Sequence, residues 1–158
     1  MEPPEVSVVI PLRDEALNVM LLHDQFTAAL APLEVSYELI LIDDGSEDDT
    51  LSHLIGVCSQ DSHVRVIQFT RNFGQTAAFA AGFAHARGRL IVTSDGDLQN
   101  DPADIPRMLA LASHHDVVCG WRRDRKDALL TRDVPSVVAN WLLGMATGIR
   151  LHDSGCSL

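Results

Sequence analysis

Lysine is almost missing from this chain: Lys126 is the only one in 158 residues, and 12 lysines and arginines face 22 aspartates and glutamates, for a formal charge of −10. A phosphate backbone asks for a basic face, and this sequence concentrates its cations only between Arg122 and Arg132. Wholesale binding to nucleic acid is therefore excluded. Cysteine is scarce as well: Cys58, Cys119 and Cys156 form an odd set without metal-ligand spacing. Neither a disulfide framework nor a zinc site is expected, and a reducing cytoplasm fits best. No apolar run reaches the roughly eighteen residues of a membrane span, and the opening MEPPEV is acidic where a signal peptide is basic. With 46% hydrophobic residues, what is present suffices for one compact domain over residues 1–158.

Short Val- and Ile-rich runs recur at Val6–Leu12, Glu38–Ile42, Val64–Phe69, Leu90–Thr93 and Asp116–Cys119, each too short for a helix. Segments with helical spacing alternate with them: Ala16–Leu30, Asp48–Ser59, Thr76–Ala86 and Asp104–Ala112, several opened by Asp, Ser or Thr as caps. Fully apolar strands separated by helices predict an α/β fold, a mostly parallel sheet with helices on both faces and right-handed crossovers. Ligands of such sheets bind beyond the carboxyl ends of the strands. The polar clusters fall there: Arg13-Asp14-Glu15 after the first strand, Asp43-Asp44-Gly45-Ser46 after the second, Thr70 to Gly74 after the third and Ser94 to Asp97 after the fourth.

Each cluster has a bland reading and a chemical one. Asp95-Gly96-Asp97 is either a solvated turn or a pair of carboxylates that a hard divalent cation, Mg²⁺ or Mn²⁺, would bridge to substrate phosphates. Its place after a buried strand favours the second. In Asp43-Asp44-Gly45-Ser46-x-Asp48-x-Thr50, Gly45 can take positive φ and Asp48 or Ser46 can cap a helix, while a remaining carboxylate is available to a base or ribose. Arg71 either pairs with a phosphate or stands on a surface turn, and Gly74 permits close backbone approach to a ligand. The Ala-rich helix from Gln75 to Ala86 reads as core packing. The cations Arg122, Arg123, Arg125 and Lys126 are either a solvated face or a mobile loop over a diphosphate or lipid head. His23, His53, His63, His85, His114 and His115 show no partner pattern and read as surface or packing residues; His152 neighbours Asp153 and stays undecided.

Taken together, VSVVIPLRDEALN, LILIDDGSEDDT, FTRNFGQTAAFAAGF, GRLIVTSDGDLQNDPADIP and LHDSGCSL resemble the family 2 glycosyltransferases that transfer sugars to polyprenyl phosphates. The likeness is greatest to the dolichyl-phosphate mannosyltransferase and undecaprenyl-phosphate glycosyltransferase branch, which includes enzymes moving a modified arabinose. The resemblance implies a GT-A (Rossmann-like) fold and inverting, metal-dependent transfer from a UDP- or GDP-sugar to a polyprenyl phosphate. It places Pro11, Arg13 and Glu15 in the nucleotide pocket, with Asp14 where the family commonly has Asn, and Asp43 and Asp44 at the nucleotide-binding DDGS. Asp95 and Asp97 match the metal-binding D-x-D, and Gln99 the following Gln of the metal shell. Arg122 and Arg123 match the loop after the fifth strand, and Asp153 the acidic residue near the acceptor. By the same resemblance the chain is expected to be C-terminally incomplete and, in the whole protein, to work at the cytoplasmic face of the membrane, reached through the acceptor or the missing segment.

Two rivals belong to other classes. A haloacid-type phosphatase also places Asp-x-Asp at a strand end, but early in its fold and with a later lysine. A non-catalytic nucleotide-binding or phospho-receiver module would use Asp43-Asp44 as its acidic pocket; a receiver needs a lysine where Cys119-Gly120 stand, and the strongest form of this class is a truncated, inactive transferase fragment that binds nucleotide.

Overall fold

The computed structural model of the chain describes residues 2–120. Among them, backbone contacts separate a unit running to Ala110 from the opening residues, 111–120, of a second. In the first unit four strands, β1 (Val6–Leu12), β2 (Tyr37–Asp43), β3 (Val64–Gln68) and β4 (Leu90–Thr93), form an all-parallel sheet in the order β3-β2-β1-β4. Helices α1 (Val19–Leu30), α2 (Thr50–Gln60) and α3 (Gln75–His85) connect successive strands, and a 3-10 turn at Pro102–Asp104 leads into α4 (Ile105–Ala112).

The alternation of side chains along β1 makes two layers. Val6, Val8, Ile10 and Leu12 pack with Leu22 and Phe26 of α1, Leu54 and Val57 of α2, and Ile105 of α4. Val9 faces the opposite way and packs with Ile40, Ile42 and Ala78 of α3. Helices therefore cover both faces, as expected. Gly82 lets α3 lie close, since a Cβ there would stand 2.2 Å from Val9 Cγ1.

The sheet explains how a proline sits in a central strand. The β1–β4 ladder runs only from Val6↔Leu90 to Val9↔Thr93, whereas β1 and β2 stay paired to Leu12↔Asp43. Pro11 lies past the end of β4, where no strand on that side needs its missing N–H. The same early stop of β4 opens a crevice between β1 and the chain that follows β4. Since α3 carries the chain back across the sheet from β3 to β4, this crevice is the topological switch point.

Two expectations need correction. Asp116–Cys119 forms no strand; residues 117–120 are irregular, and Val117 is 60% exposed. Among the described residues no neighbouring strand pairs with this run, and a strand without a partner leaves its backbone groups unsatisfied. The histidines are not all unpartnered: His23 Nε2 lies 2.9 Å from Asp61 Oδ2 and His63 Nδ1 lies 2.7 Å from Asp61 Oδ1, with the His63 ring stacked on Tyr37. Asp61 thus joins α1, the end of α2 and the approach to β3. Burial alone would raise its carboxyl, but hydrogen bonds from His23 and His63 outweigh that and hold it down to about 2.

A second charged cluster lies at the amino ends of the strands, away from the crevice. The Glu38 side chain is 3% exposed and accepts from Ser7 Oγ at 2.7 Å, Arg87 N at 2.9 Å, Arg87 Nη2 at 2.7 Å and Arg65 Nη1 at 2.9 Å. Ser7 in turn accepts from Gly88 N at 2.8 Å. One buried carboxylate therefore fastens β1, β2, β3 and the turn from α3 into β4.

Candidate functional site

The loops at the carboxyl ends of the strands are laced to one another by side chains from the polar motifs. The β1–α1 loop is tied to the β2–α2 loop by four bonds: Asp14 N donates to Ser46 Oγ (3.0 Å), Glu47 N to Asp14 Oδ1 (2.8 Å), Glu15 N to Thr50 Oγ1 (2.8 Å) and Ala16 N to Asp48 Oδ2 (3.1 Å). Asp48 also accepts from Thr50 N at 2.9 Å, closing a turn just before α2, but the N-cap position belongs to Asp49, whose side chain makes no capping bond, so the expected cap by Asp48 is not formed. Ser46 is not the cap; its hydroxyl is taken by Asp14 N.

Asp14 explains why Asp can stand where the resembling family has Asn. Its φ is +54, a left-handed conformation that both residues tolerate, and both carry the side-chain oxygen that Glu47 N requires.

Asp43 and Asp44 part company. Asp43 is buried and accepts from Ser46 N at 3.2 Å, closing its own turn. Asp44 accepts from Phe73 N at 2.8 Å through Oδ1 and from Gly74 N at 3.0 Å through Oδ2, so it clamps the β3–α3 loop. Gly45 permits this approach: at φ +67 its backbone passes so close that a Cβ would lie 2.3 Å from the Arg71 carbonyl carbon. Asp44→Asn keeps one acceptor oxygen but turns an N–H₂ toward a backbone donor. A loss of about 1–2 kcal/mol in urea unfolding is expected, because a hydrogen bond to a charged group disappears and a donor is left unsatisfied.

The loops enclose a cavity of about 450 Å³ at the crevice, lined by Pro11, Leu12, Arg13, Glu15, Asp44, Asn72, Gly74, Gln75, Asp95, Gly96 and Asp97. Seven of the residues singled out from the sequence, Pro11, Arg13, Glu15, Asp44, Gly74, Asp95 and Asp97, meet in it. Glu15 is held there by Asn18 Nδ2, which donates to Oε2 at 2.5 Å. Gly96 seats the Asp95–Asp97 turn against β1, where a Cβ would lie 2.9 Å from the Pro11 carbonyl oxygen. Gly74, at φ +90, has open space where its Cβ would be and borders the cavity with bare backbone.

Other expected site residues stand elsewhere. Arg71 lies outside the lining, its guanidinium 4.8 Å from the centre of the Phe73 ring. Gln99 donates its backbone N–H to Asp97 Oδ1 at 3.1 Å, but it lines a separate hollow of about 510 Å³ between α1 and residues 98–103. Leu98, at φ +62, turns the chain between the two. Arg122, Arg123 and Asp153 lie outside the described residues. Gln75, which the sequence suggested only as the start of a packing helix, is at the cavity wall and donates Nε2 to Asp95 Oδ1 at 2.6 Å.

The charge of the cavity decides what it accepts. Four carboxylates, Glu15, Asp44, Asp95 and Asp97, face one guanidinium, Arg13, among the described lining residues. Two of them flank Gly96 as hard oxygen donors, which suits Mg²⁺ or Mn²⁺, ions that take one or two carboxylates and complete their shells with water and phosphate. Among the described residues no group of three or more His, Cys, Asp or Glu is placed for a metal.

The sequence profile of glycosyl transferase family 2 matches residues 7–151. A dodecaprenyl-phosphate galacturonate synthase of Rhizobium johnstonii is 47% identical over 98% of this chain and 46% of its own length. An undecaprenyl-phosphate 4-deoxy-4-formamido-L-arabinose transferase of Shewanella sediminis is 43% identical over 97% of this chain and 46% of its own length. This chain thus spans about half the length of the curated relatives it matches. Among solved structures, a Pyrobaculum calidifontis mannosyltransferase in complex with GDP-Man and Mn²⁺ superposes with a TM-score of 0.62, at 21% identity over 75% of this chain and 35% of its own. A Mycobacterium tuberculosis glucosyl-3-phosphoglycerate synthase in complex with UDP gives a TM-score of 0.60, at 24% identity over 90% of this chain and 50% of its own. The parallel sheet with helices on both faces is accordingly the GT-A arrangement. By its matched span and its ordered motifs alike, the chain belongs to glycosyl transferase family 2.

Proposed function

We propose that this chain carries the donor site of an inverting glycosyltransferase that moves a sugar from a UDP- or GDP-sugar to a polyprenyl phosphate, with Mg²⁺ or Mn²⁺ held by Asp95 and Asp97. The observation that carries this reading is the cavity at the switch point. It is bordered by bare backbone, yet it is too acidic to hold a diphosphate tightly without a cation. The dodecaprenyl-phosphate and undecaprenyl-phosphate enzymes of Rhizobium and Shewanella suggest the acceptor class.

The residues of this chain then have distinct tasks. Pro11, Glu15 and Asp44 shape the pocket for the nucleoside, Glu15 presenting a carboxylate to hydroxyl or N–H donors. Arg13 is the lining cation available to a phosphate oxygen. A bound divalent ion supplies charge neutralisation at the departing diphosphate. The acceptor phosphate is already an anion at neutral pH, so attack on the anomeric carbon needs no strong base from the protein. Arg122 and Arg123 are proposed to close over the diphosphate, and Asp153 to orient the acceptor. Work at the cytoplasmic membrane face is part of the same proposal; among the described residues no helix is long and apolar enough to cross a membrane.

Calorimetric titration of the purified chain with UDP and with GDP, in Mn²⁺ or in EDTA, tests this directly. Weak binding in EDTA that Mn²⁺ tightens at least a hundredfold, with that gain lost in Asp97→Asn, is expected, and the nucleotide that binds names the base. A folded chain that binds neither nucleotide would sink the donor-site reading. Family membership leaves the phosphatase and receiver readings without support.

A further inference from the structure

We propose that Gln75 is the positioning residue for Asp95: its side-chain amide holds that carboxylate in the orientation in which, with Asp97, it takes a divalent cation. The inference rests on the metal-dependent donor site proposed above and adds a residue to it.

The geometry is built from fixed backbone on both sides. Gln75 is the first residue of α3, and the turn before it is pinned because Gly74 N donates to both Asp44 Oδ2 (3.0 Å) and Asn72 Oδ1 (2.8 Å). On the other side, Gly96 seats the Asp95 turn against the Pro11 carbonyl. Between these anchored segments, twenty residues apart in sequence, Gln75 Nε2 reaches Asp95 Oδ1 at 2.6 Å. A carboxylate only accepts, so the end of the amide facing it must be the N–H₂. Gln75 is solvent-exposed and lies outside both hydrophobic clusters, so packing does not explain its place.

The choice of a neutral donor has a consequence. A lysine or arginine at this position would also orient Asp95, but its charge would compete with the cation for the same oxygens. An amide orients the carboxylate while leaving its full charge to the metal. It also connects the α3 side of the cavity to the β4 side, on the opposite flank from the laced β1–α1 and β2–α2 loops.

The test is Mn²⁺ affinity of the full chain in the presence of UDP, and separately GDP, for wild type, Gln75→Ala and Asp97→Asn. It is paired with nucleotide affinity in EDTA and with thermal unfolding. Gln75→Ala should weaken Mn²⁺ binding about tenfold, equivalent to about 1.4 kcal/mol, while metal-free nucleotide affinity stays within about twofold and the melting temperature is unmoved. If Mn²⁺ affinity is unchanged in Gln75→Ala but lost in Asp97→Asn, the role of Gln75 is overturned and the donor site stands. If metal binding, metal-free nucleotide binding and stability fall together, Gln75 is structural and the inference fails. If wild type binds no Mn²⁺ with either nucleotide, the inference and the metal-dependent reading fall together.

Discussion

Gly45→Ala should cost about 3–5 kcal/mol of folding stability and remove nucleotide binding, although Gly45 does not line the cavity. Two effects add. Alanine at φ +67 carries the left-handed penalty of about 1–2 kcal/mol. Its Cβ would also stand 2.3 Å from the Arg71 carbonyl carbon and 2.6 Å from Asn72 N, and both are backbone atoms that no side-chain rotation can clear. The β3–α3 loop must retreat. In doing so it leaves Asp44, whose two oxygens hold Phe73 N and Gly74 N, and it carries Asn72, Gly74 and Gln75 away from the cavity wall. Urea unfolding measures the first loss and calorimetry with nucleotide the second. An alanine variant that keeps wild-type stability and affinity would show that the loop yields without consequence and that Asp44 is not its clamp.

Replacing Glu38 with glutamine should cost about 3 kcal/mol at pH 7 and almost nothing at pH 2. The carboxyl ordinarily titrates near 4.5. Burial alone would raise it, but hydrogen bonds from Arg87, Ser7 and Arg65 outweigh burial and bring it down to about 2. A folded-state value below the unfolded one means the unfolded chain binds the extra proton as the solution is acidified. The stabilisation is therefore complete above about pH 4.5 and is lost as pH falls toward 2. Glutamine has the same shape but turns a donor toward a site furnished with Arg and Ser donors, leaving partners of a buried charge unmatched. Denaturant unfolding of both proteins across this pH range gives the comparison. Wild type should lose stability on acidification, and the variant should lose less, its remaining slope including that of Asp61, which burial would raise but the hydrogen bonds of His23 and His63 hold down to about 2, and that of Asp48, lowered by its bond to Thr50. Equal destabilisation at both pH values would mean that shape, not charge, makes Glu38 matter.

These two residues mark different degrees of legibility. Gly45 announces itself in Asp-Asp-Gly-Ser after an apolar run, because turn chemistry is local and the residues that need a positive φ are few. Glu38 reads only as the first residue of a strand, since the arginines that justify its burial lie 27 and 49 residues away. The same holds for Asp61, whose histidine on α1 is 38 residues distant. Ser46 and Asp48 read as candidate helix caps, and both instead take backbone donors of the neighbouring loop, as Thr50 does beside them.

The sequence by itself determined the layers and the edge at which chemistry happens. Short Val and Ile runs bury as parallel strands, and helical spacing between them forces crossovers, so the strands fall where their apolar runs do and the polar clusters gather at the carboxyl ends. It also carried the Asp95-Gly96-Asp97 pair to that edge, because the pair follows β4 directly. Only the tertiary structure decided which polar residues look into the cavity and which hold the loops around it. It directed Asp44 to two backbone N–H groups, stacked Arg71 on Phe73, sent Gln99 to a different hollow and brought Gln75 from a packing helix to Asp95. Periodicity records which face of an element is apolar. The partner of a polar side chain is fixed by chain crossings tens of residues apart, and no local pattern encodes them.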